Sequence, residues 1–420
     1  MLLVDSDTGL RNATAWHPAA RIGFRLSASY FALYLLPVQL PPVRALVFWV
    51  ASHVFAVRHA LVVTGSGSGD KTFDWVHAFC VLVLAVLTTA VWSLLDRRRE
   101  HYRRALPWVR MAARFALGAT MVTYGMLKAI PVQMPAPGLT RLLEPFGHFS
   151  PMGVLWYSIG ASRPYEIFAG CAELAGGVLL FIPHTATLGA LICLADSVQI
   201  FALNMSYDVP VKLFSFHLIL VSLFILAPES RRLVNVVLLN RAAGPSTLLP
   251  IGRTPRARRI ADGAQAAIGL VLVASSLFAA RQAWTQYGGG APRPPLYGIW
   301  DVEEMQIGGI TVPPLVTDLE RFRRVVFDRP NTIAFQGMDD TFVSYGARID
   351  TAGQSVVLTS GAAADTRGRF TFEQPAPDRL ILNGEVEGRK MRMQLRLMDR
   401  DDFLLVSRGF HWVQEYPFNR

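Results

Sequence analysis

Residues 75–95 read WVHAFCVLVLAVLTTAVWSLL, a run of 21 residues without a single Asp, Glu, Lys or Arg. A transmembrane helix needs about 20 predominantly apolar residues, so this stretch predicts a helix that spans a lipid bilayer. The composition agrees: of 420 residues 52% are hydrophobic and 17% are charged, and the mean hydropathy is +0.32. These values exclude an ordinary soluble globular protein and predict an integral membrane protein.

Six further apolar runs are long enough to span a bilayer, which makes about seven predicted transmembrane helices. In chain order the seven runs are residues 22–40, 75–95, 108–130, 165–182, 186–204, 211–227 and 261–281. A shorter run at residues 45–57 has only 13 residues and lies between Arg44 and Arg58. Its length predicts a helix that lies in the membrane interface and does not cross.

The basic residues of the loops predict the orientation. With Arg11 and Arg21 of the N-terminal tail, the segments predicted to lie inside hold 14 basic residues, against six in the outer loops. Because cytoplasmic loops carry the excess of Lys and Arg, we expect a multi-pass protein of the plasma (inner) membrane with its N-terminus in the cytoplasm. The basic excess belongs to the apolar part, since residues 1–290 carry 25 Lys and Arg against 13 Asp and Glu. It therefore reflects membrane topology, and no nucleic-acid partner is expected.

A glycine- and proline-rich linker, residues 288–295, separates the apolar part from a region with a different period. Beyond it, nine short segments with strand-like alternation are separated by turn residues, which predicts a small antiparallel barrel or sandwich. The predicted strands are residues 297–307, 321–328, 332–337, 341–349, 355–359, 369–373, 379–386, 389–398 and 403–407. Seven spans from an inside N-terminus place this β domain outside the membrane.

The chain thus divides into five predicted parts. Residues 1–104 form an N-terminal membrane region with two spans and the interfacial helix, and residues 105–232 form a bundle of four spans. Residues 233–287 hold a cytoplasmic loop and the seventh span. The linker at 288–295 then leads to the extracytoplasmic β domain at 296–420.

Four ionisable side chains lie within the predicted spans of the bundle: Lys128, Glu173, Asp196 and His217. A charge at mid-helix costs about 2.5–3.5 kcal/mol, so we expect these groups to face inward and to form a catalytic, proton-handling cluster. The alternative is structural, with the carboxylates pairing with a lysine or with His217 and fixing the register of the helices. The groups come from separate runs without the paired spacing typical of a metal site, so no metal is predicted.

Three further residues extend this candidate site. Tyr124 lies one helical turn from Lys128, and Gln199 lies three residues from Asp196, so each pair shares a helix face. Only four of the 41 basic residues are lysine, and Lys128 and Lys212 both lie at outer ends of predicted spans. A desolvated lysine can release a proton whereas arginine cannot, although snorkelling explains the same positions. Tyr124, Gln199 and Lys212 are the candidate cofactor-binding residues.

The stretch from about residue 110 to residue 230 resembles the DoxX/DoxD-like integral membrane proteins. The resemblance rests on Tyr124-Gly125-x-x-Lys128, on Glu173-x-x-Gly176-Gly177 and on the short outer turn at residues 204–212. It implies a four-helix membrane bundle and, for one branch of the family, a membrane subunit of thiosulfate:quinone oxidoreductase. The helix end with Gly-x-x-Lys also looks like that of the vitamin K-dependent carboxylase and its bacterial relatives, which implies that Lys128 acts as a base towards a hydroquinone.

The chain departs from the DoxX pattern in its seven predicted spans, its added β domain and its lack of a redox cysteine pair. A second, shorter resemblance lies in the β domain, where Gly298-Ile-Trp300 is similar to the G-x-W start of lipocalin-like barrels. It implies that Trp300 closes one end of a barrel beneath an arginine from the last strand, here Arg408.

Two functions of different classes follow from these residues. In the first, the membrane bundle binds a quinone or a similar lipophile in a redox-linked role, and the β domain is a lid or docking module. In the second, the chain is a non-enzymatic transport or assembly protein of the cell envelope, whose β domain binds an envelope protein or a lipid. The expected partners are the lipid bilayer, a lipophilic ligand and, in the second case, an envelope protein.

Overall fold

A computed structural model describes residues 15–246, 248–360 and 365–419. Arg11, which contributes to the predicted inner charge, lies outside these residues. By its internal contacts the chain divides into two units. The helical unit comprises Met1–Gln133 and Ile167–Arg281, and the barrel unit comprises Met134–Glu166 and Gln282–Arg420.

Each of the seven apolar runs contains a helix. The α-helices of the described residues are α1 Pro18–Tyr34, α2 Pro41–His53, α3 Thr72–Leu95, α4 Leu106–Ala129, α5 Leu139–Leu143, α6 Pro151–Gly160, α7 Arg163–Phe181, α8 Ala186–Ser206, α9 Lys212–Leu226, α10 Ser230–Leu233, α11 Pro255–Gln286 and α12 Leu404–Ser407. Helices α1, α2, α4 and α6 have proline at their first or second position. Proline is tolerated there because the N–H groups of the first turn have no partner within the helix.

Among the described residues, five helical segments are long and apolar enough to cross a membrane: Thr72–Leu95, Arg163–Phe181, Ala186–Ser206, Lys212–Leu238 and Pro255–Gln286. The fourth of them runs from the start of α9 to beyond α10. The predicted number of seven spans is therefore not confirmed, whereas a helical region suited to a membrane is. Helix α1 is short, with 17 residues, and α4 contains Arg110, Arg114 and Lys128. The predicted short helix is α2, and its position in the membrane interface stays a prediction.

Glycines bring α4 and α7 into close contact. A Cβ added to Gly118 would stand 3.1 Å from the carbonyl oxygen of Gly177, and one added to Gly125 would stand 2.8 Å from that of Gly170. The two contacts lie seven residues apart on each helix, so they recur on the same face. Small residues that let helix backbones approach are typical of helix packing in membranes, where no hydrophobic effect drives the helices together.

The C-terminal region forms a closed antiparallel barrel of eight strands. The strands are β1 Gly298–Ile307, β3 Phe322–Phe327, β4 Thr332–Gly337, β5 Phe342–Asp350, β6 Ser355–Ser360, β7 Asp365–Ala376, β8 Arg379–Val386 and β9 Arg389–Leu397, while the short β2 Ile310–Thr311 pairs only with the end of β1. Successive strands pair with one another, and β9 pairs back with β1, with Trp300 opposite Leu397.

Eight of the nine predicted strands are confirmed, and the ninth, at residues 403–407, is wrong. These residues hold the single-turn helix α12, Leu404–Ser407. The physical reason is closure: once β9 pairs with β1, the barrel has no open edge that another strand could join.

The barrel interior is filled by its own side chains. Trp300 is 1% exposed and its Nε1 donates a hydrogen bond to the carbonyl oxygen of Leu296 at 2.9 Å. Gly298 has φ +153°, a conformation that side-chain-bearing residues rarely adopt, which explains the glycine two residues before Trp300. The predicted cover by Arg408 is wrong, because the Arg408 guanidinium lies over the ring of Phe418 at 4.0 Å.

The segment between α4 and α7 packs on the outside of this barrel. Leu139 of α5 is buried against Ile299, Val326 and Ala334, which lie on β1, β3 and β4. The far end of the segment is fixed by Glu166, whose Oε1 accepts a hydrogen bond from the backbone N–H of Met134 at 3.0 Å. Residues 134–166 are thus part of the barrel unit.

Candidate functional site

The contact between α4 and α7 brings Lys128 and Glu173 together. With Gly125 seated against the backbone of α7, the ammonium of Lys128 donates a hydrogen bond to Oε1 of Glu173 and forms an ion pair with it. The two residues are 7% and 4% exposed. Gly125 and Lys128 therefore act together, since the glycine admits the neighbouring helix and the lysine pairs with it.

Asp196 of α8 joins this pair and completes what we call the Lys128 cluster. It interacts electrostatically with both Glu173 and Lys128. Helix α8 is held against α7 at Gly176, where an added Cβ would stand 2.8 Å from Sγ of Cys193. Oε2 of Glu173 and Oδ2 of Asp196 are buried and accept no hydrogen bond from the described residues. The cluster has two acidic groups and one basic group, so a proton held within it would balance its charge.

His217 lies against α1 and not in the Lys128 cluster. Its Nδ1 donates to the carbonyl oxygen of Leu213 at 2.7 Å, so in the neutral ring its Nε2 accepts from the Tyr30 hydroxyl at 2.6 Å. The ring of Tyr34 stacks on the imidazole at 4.2 Å. The ring of His77 follows, 6.1 Å from that of Tyr34. Three of the four predicted catalytic residues thus meet, and the fourth belongs to a separate histidine–tyrosine cluster.

A cavity of about 1370 Å³ lies between α1, α3, α8 and α9. Its aromatic lining consists of Trp16, Phe24, Phe31, Trp75, Phe79, Phe201, Phe216 and Phe224. The hydrogen-bonded Tyr30 and His217 form a polar patch on its wall, and Lys212 and Arg103 also line it. Ligand sites typically measure about 300–1000 Å³, so this cavity is large enough for an elongated lipophile.

A smaller cavity of about 250 Å³ lies between α1, α4 and α9. His217 lines both cavities. Tyr34 lines the smaller cavity and is not among the described residues that line the larger one. Phe31 also lines both cavities, so its ring and the imidazole lie between the two spaces.

The three predicted cofactor-binding residues have different surroundings. Tyr124 is 40% exposed, with its ring 6.1 Å from that of Phe214, and Gln199 is also exposed. Neither is among the described residues that line the larger cavity. Lys212 does line it, and its Nζ pairs at 2.8 Å with Asp208, which lies in the turn before α9. Of the three, only Lys212 has a place in the larger cavity.

Asp70 binds the start of α9. Its carboxylate accepts hydrogen bonds from the backbone N–H groups of Lys212 at 2.8 Å and Leu213 at 2.9 Å. These N–H groups have no partner within the helix, and the positive end of the helix dipole favours the carboxylate. The glycine-rich loop before Lys71 thus positions a helix cap.

Two buried arginines of α4, which the sequence pattern did not single out, bind the ends of other helices. Arg114 donates to the carbonyl oxygen of Leu180 through Nε at 2.8 Å and Nη2 at 2.6 Å. Nε of Arg110 donates to the carbonyl oxygen of Ile225 at 2.9 Å. These carbonyls lie in the last turns of α7 and α9, where they have no partner within the helix. The signal that could have found this role is two arginines one turn apart in an apolar run.

Arg25 of α1 has the same role at the end of α3. It donates to the carbonyl oxygen of Asp96 at 3.0 Å and to the hydroxyl of Tyr102 at 2.7 Å. The Tyr102 hydroxyl in turn donates to the Asp96 carboxylate at 2.8 Å. This hydrogen bond, aided by Arg99, lowers the pKa of the Asp96 carboxyl group.

Comparison with known proteins finds one similarity to report. The chain is 28% identical to the uncharacterized protein YwoB of Bacillus subtilis (strain 168) over 149 residues, which are 33% of this chain and 87% of that protein. No family model matches the chain, and no solved structure matches it. The similarity to YwoB supplies neither a family nor an activity.

Proposed function

We propose that the helical unit of this DoxX-like protein binds a quinone or a similar lipophile in the larger cavity, in a redox-linked role. The observation that carries the proposal is the combination of a long aromatic lining with a polar patch formed by Tyr30 and His217. Apolar walls with a few placed polar groups are typical of sites for ligands with an apolar body and a small polar head. A quinone has such a head in its two carbonyl groups.

Tyr30 and His217 suit both redox states of a quinone. The hydroxyl of Tyr30 can turn from His217 and donate to a quinone carbonyl. Nε2 of His217, freed in the same step, can accept a hydrogen bond from the hydroxyl of a hydroquinone, because Nδ1 holds its own proton against Leu213. His217 is then placed to receive the proton that a hydroquinone loses on oxidation. The two electrons that the hydroquinone loses in this reaction would pass to a separate redox partner that accepts them, and its second proton would pass to water.

The Lys128 cluster has a supporting role in this proposal. Its two carboxylates and one lysine can hold a proton in the same helical unit as the cavity. The role of a base towards the ligand, which the family resemblance implies for Lys128, requires release of its proton from the ion pair with Glu173. The tight pairing therefore favours a charge-balancing role for Lys128 over direct proton transfer.

The same pairing supports a second candidate function, in which the chain is a non-enzymatic transport or assembly protein. In that case the Lys128–Glu173 ion pair fixes the register of α4 against α7. The barrel, whose core is filled by its own side chains, would bind its envelope partner on an outer surface.

The predicted topology, with the N-terminus inside and the barrel outside, is part of the proposal. The segment 134–166 and the barrel share one unit and must lie on the same side of a membrane. The chain must then cross an even number of times between them. Helices α7, α8, α9 and α11 supply four crossings, which supports the topology derived from the basic residues.

Quinone binding is tested with purified protein in mild detergent and a soluble quinone with a ten-carbon tail, with binding followed by quenching of tryptophan fluorescence. Tyr30→Phe removes one hydroxyl from the cavity, and Tyr34→Phe makes the same change one turn away on the wall of the smaller cavity. A hydrogen bond contributes about 0.5–1.5 kcal/mol, so Tyr30→Phe should weaken binding by roughly two- to tenfold. Tyr34→Phe should leave the affinity unchanged, and His217→Phe should weaken binding more than Tyr30→Phe does.

Equal affinities of the wild type, Tyr30→Phe and His217→Phe would refute the site. Mass spectrometry of the lipids that copurify with the protein separates the two candidate functions. A bound quinone supports the first, whereas bulk phospholipid alone supports the second.

A further inference from the structure

The end of the chain is an exposed aromatic segment of the barrel unit. Phe410, Trp412, Val413 and Tyr416 are 76%, 90%, 77% and 84% exposed. The rings of Phe410 and Trp412 meet edge to face at 5.0 Å, outside the barrel core. Exposed apolar and aromatic side chains grouped in one short segment are typical of a site of interaction. We call residues 408–419 the aromatic tail.

The strand order shows at which end of the barrel the tail leaves. Gly298 begins β1, and Trp300 pairs with Leu397 at the end of β9, so the chain enters and leaves the barrel at the same end. Leu139 of α5 packs near this entry end, against Ile299 among others. Both covalent connections to predicted membrane helices, the linker after α11 and the segment between α4 and α7, therefore reach the entry end.

The short connection between α11 and β1, which contains the linker at 288–295, limits how far the entry end can lie from the end of α11. Eleven residues, 287–297, connect Gln286 at the end of α11 to Gly298 at the start of β1. A fully extended chain covers about 3.3–3.6 Å per residue, so this connection spans at most about 40 Å. The aromatic tail begins about ten residues after β9 ends at the entry end of the barrel. The tail is therefore within reach of a bilayer that holds α11.

We propose that the aromatic tail inserts into the interface of the lipid bilayer and anchors the entry end of the barrel there. Tryptophan and tyrosine concentrate at the level of the lipid headgroups, where their rings are buried and their polar atoms stay hydrated. Trp412 and Tyr416 supply these residues, and Phe410 and Val413 supply the apolar surface. The partner is a lipid surface, and the proposal is independent of quinone binding.

A second exposed apolar patch does not fit the same partner. Leu315, Val316 and Leu319 lie in the loop between β2 and β3, which the antiparallel strand order places at the opposite end of the barrel. The stretch from Val312 to Glu320 contains no aromatic residue. This patch therefore serves as a control for exposed apolar surface that stays away from the bilayer.

The test places a fluorophore on single cysteines of the full-length protein. Cys171→Ser removes the exposed native thiol, whereas Cys80 and Cys193 are buried and stay in place. Trp412→Cys and, as the matched control, Val316→Cys are labelled with an environment-sensitive dye. An unsubstituted Cys171→Ser sample gives the labelling background. Each protein is reconstituted into phosphatidylcholine bilayers with or without bromine on the upper part of the acyl chains.

Brominated lipid should quench the dye at position 412 several-fold more than the dye at position 316, and the emission at 412 should shift to shorter wavelength. Equal quenching at both positions would overturn the proposal. A shift to shorter wavelength at 412 without quenching by bromine would also overturn it, because a protein surface and not lipid would then cover the tail.

Discussion

Lys128→Met should destabilise the helical unit strongly, because it leaves the two interacting carboxylates of Glu173 and Asp196 without their cation. Lys128 and Glu173 are 7% and 4% exposed, and removal of one partner of a buried ion pair costs about 3–5 kcal/mol. Asp196 increases the effect, since it interacts with both members of the pair. Glu173→Gln should cost less than Lys128→Met, because Asp196 still interacts electrostatically with the remaining lysine.

A double-mutant cycle measures the interaction itself. The double variant Lys128→Met with Glu173→Gln should lose less stability than the sum of the single variants, by about 0.5–3 kcal/mol. Unfolding is followed by tryptophan fluorescence as sodium dodecyl sulfate is added to protein in mild detergent. Lys71→Met is the control: its ion pair with Asp74 is more exposed, so the change should cost about 1 kcal/mol or less.

Additivity of the two single variants within about 0.5 kcal/mol would refute the ion pair. Lys128→Arg then separates its two candidate roles, since arginine keeps the charge but does not release a proton in a protein. Full complementation of a deletion strain by Lys128→Arg would refute a proton-transferring lysine. Loss of function at normal protein level would count against a purely structural ion pair.

Three further predictions concern other parts of the chain. Trp300→Ala should destabilise the barrel by about 3–5 kcal/mol, measured as loss of its unfolding transition, and an unchanged transition would contradict the burial of this ring. Alkaline phosphatase fused after Arg420 should be active and after Arg232 inactive, and the reverse would invalidate the topology. Because the pKa of Asp96 is lowered in the folded protein, the stability advantage of the wild type over Asp96→Asn should be complete above about pH 5 and shrink as the pH falls below about 3.9. If the difference in melting temperature between the wild type and Asp96→Asn stayed constant from pH 6 to pH 3, the role of the hydrogen bond from Tyr102 to Asp96 would be contradicted.

The period of the apolar residues predicted most of the elements but not their limits. The segment at residues 379–386 coincides with β8, because alternation and flanking turns define both its ends. Residues 403–407 show a similar local pattern and form a helix instead, since barrel closure by β9 is a long-range event. The same long-range cause misplaced Arg408, which follows the barrel and does not belong to its last strand.

The candidate site was predictable where sequence spacing and helix contact coincide. Gly125 and Lys128 share a face of α4, so the glycine that admits α7 also aims the lysine at Glu173. For His217 its position within a predicted span was a poor guide, because this position does not state which neighbour a side chain faces. Its partners Tyr30 and Tyr34 stand four residues apart in the first apolar run, and this spacing was the available signal.

The strong preference of this chain for arginine over lysine has a partial explanation in the helix ends. A guanidinium presents donors in a rigid fork, so Arg114 can direct two of them at one carbonyl oxygen and Arg25 can bind a carbonyl and a hydroxyl together. The carbonyls they bind end α7 and α3, and Arg110 binds one in the last turn of α9. All three helices end on the side predicted to be cytoplasmic, where basic residues are also expected from topology. An arginine at such a position therefore has two roles. Its charge favours the cytoplasmic side, and its guanidinium donates hydrogen bonds to helix-end carbonyl oxygens for which lipid has no donor.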